Sequence, residues 1–337
     1  MVILFGTHPK YVEHDSGTIH PDSPQRLQAV FKGIELSGVK ELIQVFQPTE
    51  ATIEELSRVH QPSYIEALKR FCLMGGGMLD PDTMATEASW EAALLAAGAG
   101  LDAARRIYAG EADAAFLAVR PPGHHAVSDR AMGFCLLNNI AVLSAELVSR
   151  GERVVVFDFD AHHGNGTQEI FFESSKVLYV STHQYPLYPG TGRAREVGKG
   201  DGKGFTLNLP FHANSVGASF MEGLDRIAAP VIESFAPTWI LLSSGFDAHR
   251  QDPLTELGLT SADFGMLTLW IKQLAPAANV VAMLEGGYDL DALETSTAAT
   301  LAAMAGIQLN LESPSQGRAD IEMISALEES RKRALSD

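Results

Sequence analysis

The chain has 337 residues, enough for one large domain or two small ones, and its 46% apolar content is enough for a sizeable core with no stretch of disordered composition. The formal net charge of −17 argues against binding to a phosphate backbone, which needs a basic face, so no nucleic-acid partner is expected. The same charge is compatible with a cationic substrate, although solubility alone accounts for it.

The chain opens on Met1-Val2-Ile3-Leu4-Phe5, which lacks the basic region and long apolar core of a secretory signal and reads as a first buried strand. Further apolar, β-branched runs follow at 115–119, 154–157, 177–180, 239–242 and 280–284. They are continuous rather than alternating, as expected of strands covered on both faces. All are far short of the roughly 20 residues of a membrane span, so no membrane partner is expected. Helix-like stretches lie between them at 86–108, 136–150, 219–235, 261–274 and 290–304. This alternation predicts an α/β fold, a mainly parallel sheet sandwiched by helices. Cys72 and Cys135 form neither a metal-type pair nor a disulfide framework, which points to a cytoplasmic protein. After Ser313-Pro314-Ser315, the residues Ile321, Ile324 and Leu327 recur at helical spacing. They predict a C-terminal helix docked on the body or on a partner subunit, which leaves a homo-oligomer open.

Four of the strands run directly into polar, glycine-rich segments, at 120–125, 158–166, 243–250 and 285–289. Ligands of open α/β sheets bind outside the carboxyl ends of the strands, so four such clusters are expected to converge on one site. In the cluster at 158–166, Asp158, Asp160 and His162 alternate and would project together from an extended chain. Carboxylate and imidazole are both zinc ligands, and a catalytic site uses three with a position left for water. Taken alone, the motif also fits a carboxylate–histidine hydrogen-bond network without a metal. Asp247 supplies a third ligand, although a lone aspartate at a strand end is commonly a cap or turn residue. His249 reads as a surface or loop histidine without a ligand role. His124 and His125, after a proline-stiffened turn, suit the acid and base that amide hydrolysis needs, or else a second metal or a plain surface pair. Glu285-Gly286-Gly287-Tyr288-Asp289 makes a mobile or tightly turned loop from which Tyr288 could donate to an oxyanion, a weak signal by itself.

In this order the clusters closely resemble the arginase–deacetylase superfamily, specifically the histone-deacetylase-like hydrolases. The resemblance also rests on His20-Pro21-Asp22-Ser23-Pro24-Gln25-Arg26, Val59-His60-Gln61-Pro62-Ser63-Tyr64, Gly133-Phe134-Cys135 and Tyr188-Pro189-Gly190-Thr191-Gly192, so that it spans about residues 20–290. It implies a single-domain open fold with a mainly parallel eight-stranded sheet, a zinc-dependent deacetylase domain over 1–312 and a C-terminal helical extension over 313–337. By resemblance, Asp160, His162 and Asp247 hold one zinc ion, with iron(II) as the alternative. His125 is the general base and acid, His124 its electrostatic partner, Asp158 the carboxylate that orients His124, and Tyr288 the residue that polarises the substrate carbonyl. Gly133, Phe134 and Tyr188 line a narrow channel for an acyl-lysine side chain, Asp82 grips substrate backbone at the rim, and Arg26 lines an internal cavity or forms a structural salt bridge. Asp158, Asp160, His162, Ser181 and Thr182 fall at the family's monovalent-cation site, where potassium is expected. Asn165 stands behind His125 where part of the family has aspartate, as in the class II-like branch. No extra domain resembles those of the large nuclear deacetylases, which implies a bare catalytic domain of bacterial type. Leu254 occupies the position at which the polyamine-preferring relative carries a glutamate. The implied reaction is metal-assisted hydrolysis of acetyl-lysine in peptides. A deacetylase of small acetylated amines is the nearest rival, and a catalytically weak acyl-lysine-binding module a more distant one.

Overall fold

Runs that are apolar at every position have no solvated face, so they form strands only where both faces are covered. In the computed structural model, which describes residues 1–336, all six such runs are strands and four further strands join them. In chain order they are β1 (Ile3–Gly6), β2 (Ile43–Phe46), β3 (Gly77–Met78), β4 (Met84–Ala85), β5 (Ala114–Leu117), β6 (Val154–Asp158), β7 (Val177–Gln184), β8 (Thr206–Phe211), β9 (Trp239–Ser244) and β10 (Asn279–Leu284). Strands β3 and β4 form a small antiparallel hairpin. The other eight form one sheet in the order β2-β1-β5-β10-β9-β6-β7-β8, and every neighbouring pair is parallel. Strands β1, β5, β6 and β9 are buried along their whole length, and helices flank the sheet to form a single α/β domain.

The sheet strands absent from the sequence reading are its two edges. Strand β2 exposes Gln44 and Val45, and β8 alternates Thr206, Leu207, Asn208 and Leu209 before Pro210, so neither is a continuous apolar run. A proline lacks the N–H of the ladder and is tolerated at an edge strand. Helices Glu87–Tyr108, Asn139–Ser149, Ser261–Leu274 and Leu290–Met304 occupy the segments expected of them. The helix foreseen over 219–235 is interrupted: Gly217–Gly223 passes through a π-turn, Leu224–Ala228, into Ala229–Phe235. Pro230 has no N–H to return to the preceding turn and its ring crowds that turn, which widens the local hydrogen-bond pattern.

Helix Ile321–Ser336 docks on the body of the same chain; Asp337, the last residue of the expected extension, lies outside the described residues. Met323 and Ile324 are buried, and Arg331 donates to the carbonyls of Thr206 (2.5 Å) and Gly204 (2.8 Å) beside the edge strand β8.

Candidate active site

The four polar clusters follow β5, β10, β9 and β6, which are neighbours in the middle of the sheet. All four strands are parallel, so their carboxyl ends open on one side and the clusters meet there. Asp160, His162 and Asp247 offer ligand atoms that all lie within 4.8 Å of one another. The Nδ1 of His162 is 2.8 Å from Asp247 Oδ2 and 3.3 Å from Asp160 Oδ1. Backbone donors orient the carboxylates: Asp160 accepts from the N–H groups of His162 and Gly286 (both 2.8 Å), and Asp247 from that of Ala161 (2.7 Å). Both carboxylates are buried, and burial favours a neutral His162. Even so, Asp247 and Asp160 push the ring up to about 10, so the cluster draws positive charge to its centre.

Two glycines are needed for this approach. A Cβ on Gly245 would lie 1.9 Å from Asp160 Oδ2, and one on Gly286 would lie 2.4 Å from Asp247 Oδ2.

The histidine pair lies beside the cluster with its rings 4.0 Å apart. His124 Nδ1 is 3.1 Å from Asp158 Oδ2, which also accepts from the hydroxyl of Tyr179 at 3.1 Å. Burial works against a charge on His124, but Asp160, Asp158 and Glu285 outweigh it and raise its pKa to about 10. Burial lowers His125 well below the ordinary value, helped by the His124 and His162 rings. Nδ1 of His125 is 2.8 Å from Asn165 Oδ1, so Nδ1 carries the proton and Nε2 is left as the basic nitrogen. The two rings are thus driven in opposite directions by their surroundings, the arrangement that separates acid from base in hydrolytic sites.

Above the cluster, Asp82, His125, Gly133, Phe134, His162, Leu187, Tyr188, Leu254 and Tyr288 line a cavity of about 230 Å³. The channel residues expected from the sequence therefore come together, with Leu187 as an addition. Gly133 and Phe134 both have positive φ (57° and 68°), and a Cβ on Gly133 would stand 2.5 Å from the His125 ring. The Phe134 ring meets Tyr288 at 5.9 Å and His20 at 4.4 Å, in both cases edge-on.

A histone deacetylase domain model matches residues 20–304. The chain belongs to the histone deacetylase family. It is 38% identical over 310 residues to a probable deacetylase of Archaeoglobus fulgidus, covering 90% of this chain and 86% of that protein. It is 36% identical to a histone deacetylase-like amidohydrolase of Pseudomonas aeruginosa, covering 90% and 82% of the two chains. The crystal structure of the HDA15 HD domain superposes with a TM-score of 0.90 at 32% identity, covering 100% of this chain and 98% of that one. Family membership with relatives so named makes this a hydrolase acting on amides.

Other expected residues of this deacetylase-family site lie outside the channel wall. Arg26 is fully buried, pairs with Asp22 at 2.8 Å, donates to the Gly287 carbonyl at 2.7 Å and lies 5.0 Å from the centre of the Tyr288 ring. Ser181 sits opposite Asp158 in the β6–β7 ladder, but its hydroxyl pairs with His183 Nδ1 at 2.8 Å, and the hydroxyl of Thr182 is buried without a hydrogen-bond partner. His249, expected at the surface or in a loop, lies in the loop after β9 yet is only 1% exposed, and its Nε2 pairs with Glu312 Oε2 at 3.1 Å in the segment that leads to the C-terminal helix. Sequence reasoning assigns Glu285 no role. Its Oε2 accepts from the N–H groups of Gly123 (2.7 Å) and His124 (3.1 Å), and burial pushes it up to about 7. Its position in a strand-end cluster was the one available signal.

Proposed function

We propose that this protein is a zinc-dependent deacylase that hydrolyses the amide of N-acetyl-lysine side chains in peptides or proteins. The observation that carries the reading is a cavity whose wall brings together His125, Tyr288 and His162, the last of these belonging to the Asp160–His162–Asp247 cluster. Two carboxylates and one imidazole that attract positive charge suit a divalent ion and leave a fourth position, so Asp160, His162 and Asp247 would hold zinc, or iron(II). When bound, the metal supplies a Lewis acid for the amide carbonyl and lowers the pKa of water.

His125 takes the proton of the attacking water at Nε2, since Nδ1–H is committed to Asn165. Asn165 carries no charge to hold the resulting imidazolium, which favours delivery of the proton to the leaving amine. His124, anchored by Asp158, supplies positive charge beside it, and Tyr288 donates to the oxyanion. Phe134 and Tyr188 enclose the methylene stem, and Asp82 at the mouth accepts from the substrate backbone. Asp158, Asp160, His162, Ser181 and Thr182 would hold a structural potassium ion, a reading supported by the unpartnered Thr182 hydroxyl and the Asp158–Ser181 adjacency. The hydrolase occupies residues 1–312, with 313–337 as its helical extension, and works in the cytoplasm.

Relatives named histone deacetylases favour an acyl-lysine substrate, and Leu254 in the channel wall offers the second ammonium of a polyamine no charge partner. The test compares kcat/KM for acyl-lysine peptides and acetylspermidine, with metal content measured on the same sample. The peptide is expected to be the better substrate, and Leu254→Glu to move the ratio toward the polyamine by up to about fivefold, the worth of a rim ion pair. A wild type that prefers acetylspermidine overturns the substrate assignment and leaves the chemistry standing.

A further inference from the structure

Each peptide of the Gly286-Gly287-Tyr288 turn is held by a group from outside the turn. The Gly286 N–H donates to Asp160 Oδ2 at 2.8 Å, and the Gly286 carbonyl accepts from Phe246 N–H at 3.1 Å. The Gly287 carbonyl accepts from Arg26 Nε at 2.7 Å, and the Tyr288 N–H donates to Asp252 Oδ2 at 2.8 Å. Gly287 has φ +115°, a conformation natural only to glycine, and two successive glycines give the free turn a wide conformational range. Arg26 and Asp252 thus grip the same peptide, the one joining Gly287 to Tyr288, at its carbonyl and at its N–H respectively. The other oxygen of the same carboxylate, Oδ1, accepts from Leu254 N–H at 2.9 Å, and the residue is only 7% exposed. One buried carboxylate therefore joins the peptide of Tyr288 to the peptide of Leu254, and both residues line the channel.

We infer that Asp252 is the positioning residue for Tyr288: its carboxylate fixes the tyrosine against the Leu254 wall, so that the oxyanion donor is in place before the oxyanion forms. The inference rests on the oxyanion role proposed above for Tyr288. An oxyanion donor is effective to the extent that it is preorganised, and preorganisation of a glycine-linked tyrosine has to come from outside its own turn. The residue type fits the task. A carboxylate has two acceptor oxygens for the two N–H groups, whereas an amide has one acceptor end and must turn its NH2 against one of them. Asp252→Asn therefore keeps shape and volume while breaking one arm of the bridge.

The test is a double-mutant cycle of Asp252→Asn and Tyr288→Phe on the zinc-loaded enzyme with an acetyl-lysine peptide. Alongside it, hydrogen–deuterium exchange is read in the segment that contains Tyr288. Tyr288→Phe is expected to lower kcat by about 100-fold or more, the worth of one oxyanion donor. Asp252→Asn is expected to lower kcat by about tenfold or more with KM within about threefold, and the double variant to be no slower than Tyr288→Phe alone. Zinc content stays full, and exchange at 286–289 accelerates while that at 120–125 does not. Independent, multiplicative losses overturn the inference, as do a normal kcat in Asp252→Asn or loss of zinc, which would place the residue's action on the Asp247 loop. Near-normal turnover by Tyr288→Phe would instead sink the oxyanion role itself. The exchange data still report whether Asp252 holds the turn in that case: unchanged exchange at 286–289 overturns the positioning role, and faster exchange upholds it.

Discussion

Asp160 and Asp247 depend on backbone donors from a neighbouring strand end as well as on the His162 ring between them. The N–H of Gly286 reaches Asp160, and the N–H of Ala161 reaches Asp247. Among the described residues no further carboxylate or imidazole joins their cluster, so nothing stands ready to replace either one. Asp160→Ala and Asp247→Ala are each expected to lose zinc and turnover together, whereas His125→Ala should keep its zinc and lose at least about 100-fold in turnover. Metal analysis paired with a turnover assay on each variant checks this, and full zinc occupancy in Asp247→Ala would remove that residue from the ligand set. These residues were legible because the strand-end motifs place chemically distinctive side chains at fixed short spacings. Asp252 and Glu285 were not legible as parts of the site: both act on backbone N–H groups far away in sequence, and no local pattern encodes such an approach. His249 shows the same limit from the other side, since the Glu312 it pairs with is 63 residues away in sequence.

Among the elements, the central strands announced themselves by continuous apolar runs and the edge strands did not. Strand β2 is half solvated, with Gln44 and Val45 exposed, whereas β8 is buried throughout and its apolar run is broken by Asn208 and Pro210. The edge is also where the C-terminal helix becomes informative. Its periodicity predicted a helix but could not say what it covers, and the structure sets it on this chain's own body through Arg331. Burial lowers the guanidinium to about 10, and its donors satisfy the carbonyls of Thr206 and Gly204. Arg331→Ala leaves those carbonyls without their charged donor and is expected to cost about 1–3 kcal/mol of stability. The urea midpoint should fall while kcat stays unchanged, because the helix lies away from the channel wall. An unaltered midpoint would mean that apolar packing of Met323 and Ile324 alone fastens the helix.

At the scale of the whole molecule, parallel strand order gathers four strand ends at one site, and the regions between them are tied by buried polar groups. His60 is one such tie. Its Nδ1–H donates to the Val127 carbonyl at 3.1 Å and its Nε2 accepts from the Asn138 N–H at 2.9 Å, which links the segment before helix Pro62–Leu73 to the loop that carries Gly133 and Phe134. Burial lowers its pKa to about 4, only partly countered by the Val127 carbonyl. Protonation would point a second N–H at the Asn138 N–H. An unfolded histidine titrates near 6.5 and the folded one near 4, so the unfolded chain binds more protons between these values. The stability is present in full above about pH 6.5 and is lost as the pH falls toward 4, amounting to about 2 kcal/mol between pH 7 and pH 5. Glu285 and Asp252, both raised to about 7, shift stability the opposite way in the same window, so a single acid-denaturation curve mixes the signs. A difference measurement isolates the histidine. Gln at position 60 can accept from one N–H and donate to one carbonyl without titrating, as the neutral imidazole does. The unfolding free energy of wild type relative to His60→Gln should therefore drop by about 2 kcal/mol on going from pH 7 to pH 5. A difference that stays constant across that range would mean that His60 is protonated in the folded protein, and that the tie to the channel loop is made in some other way.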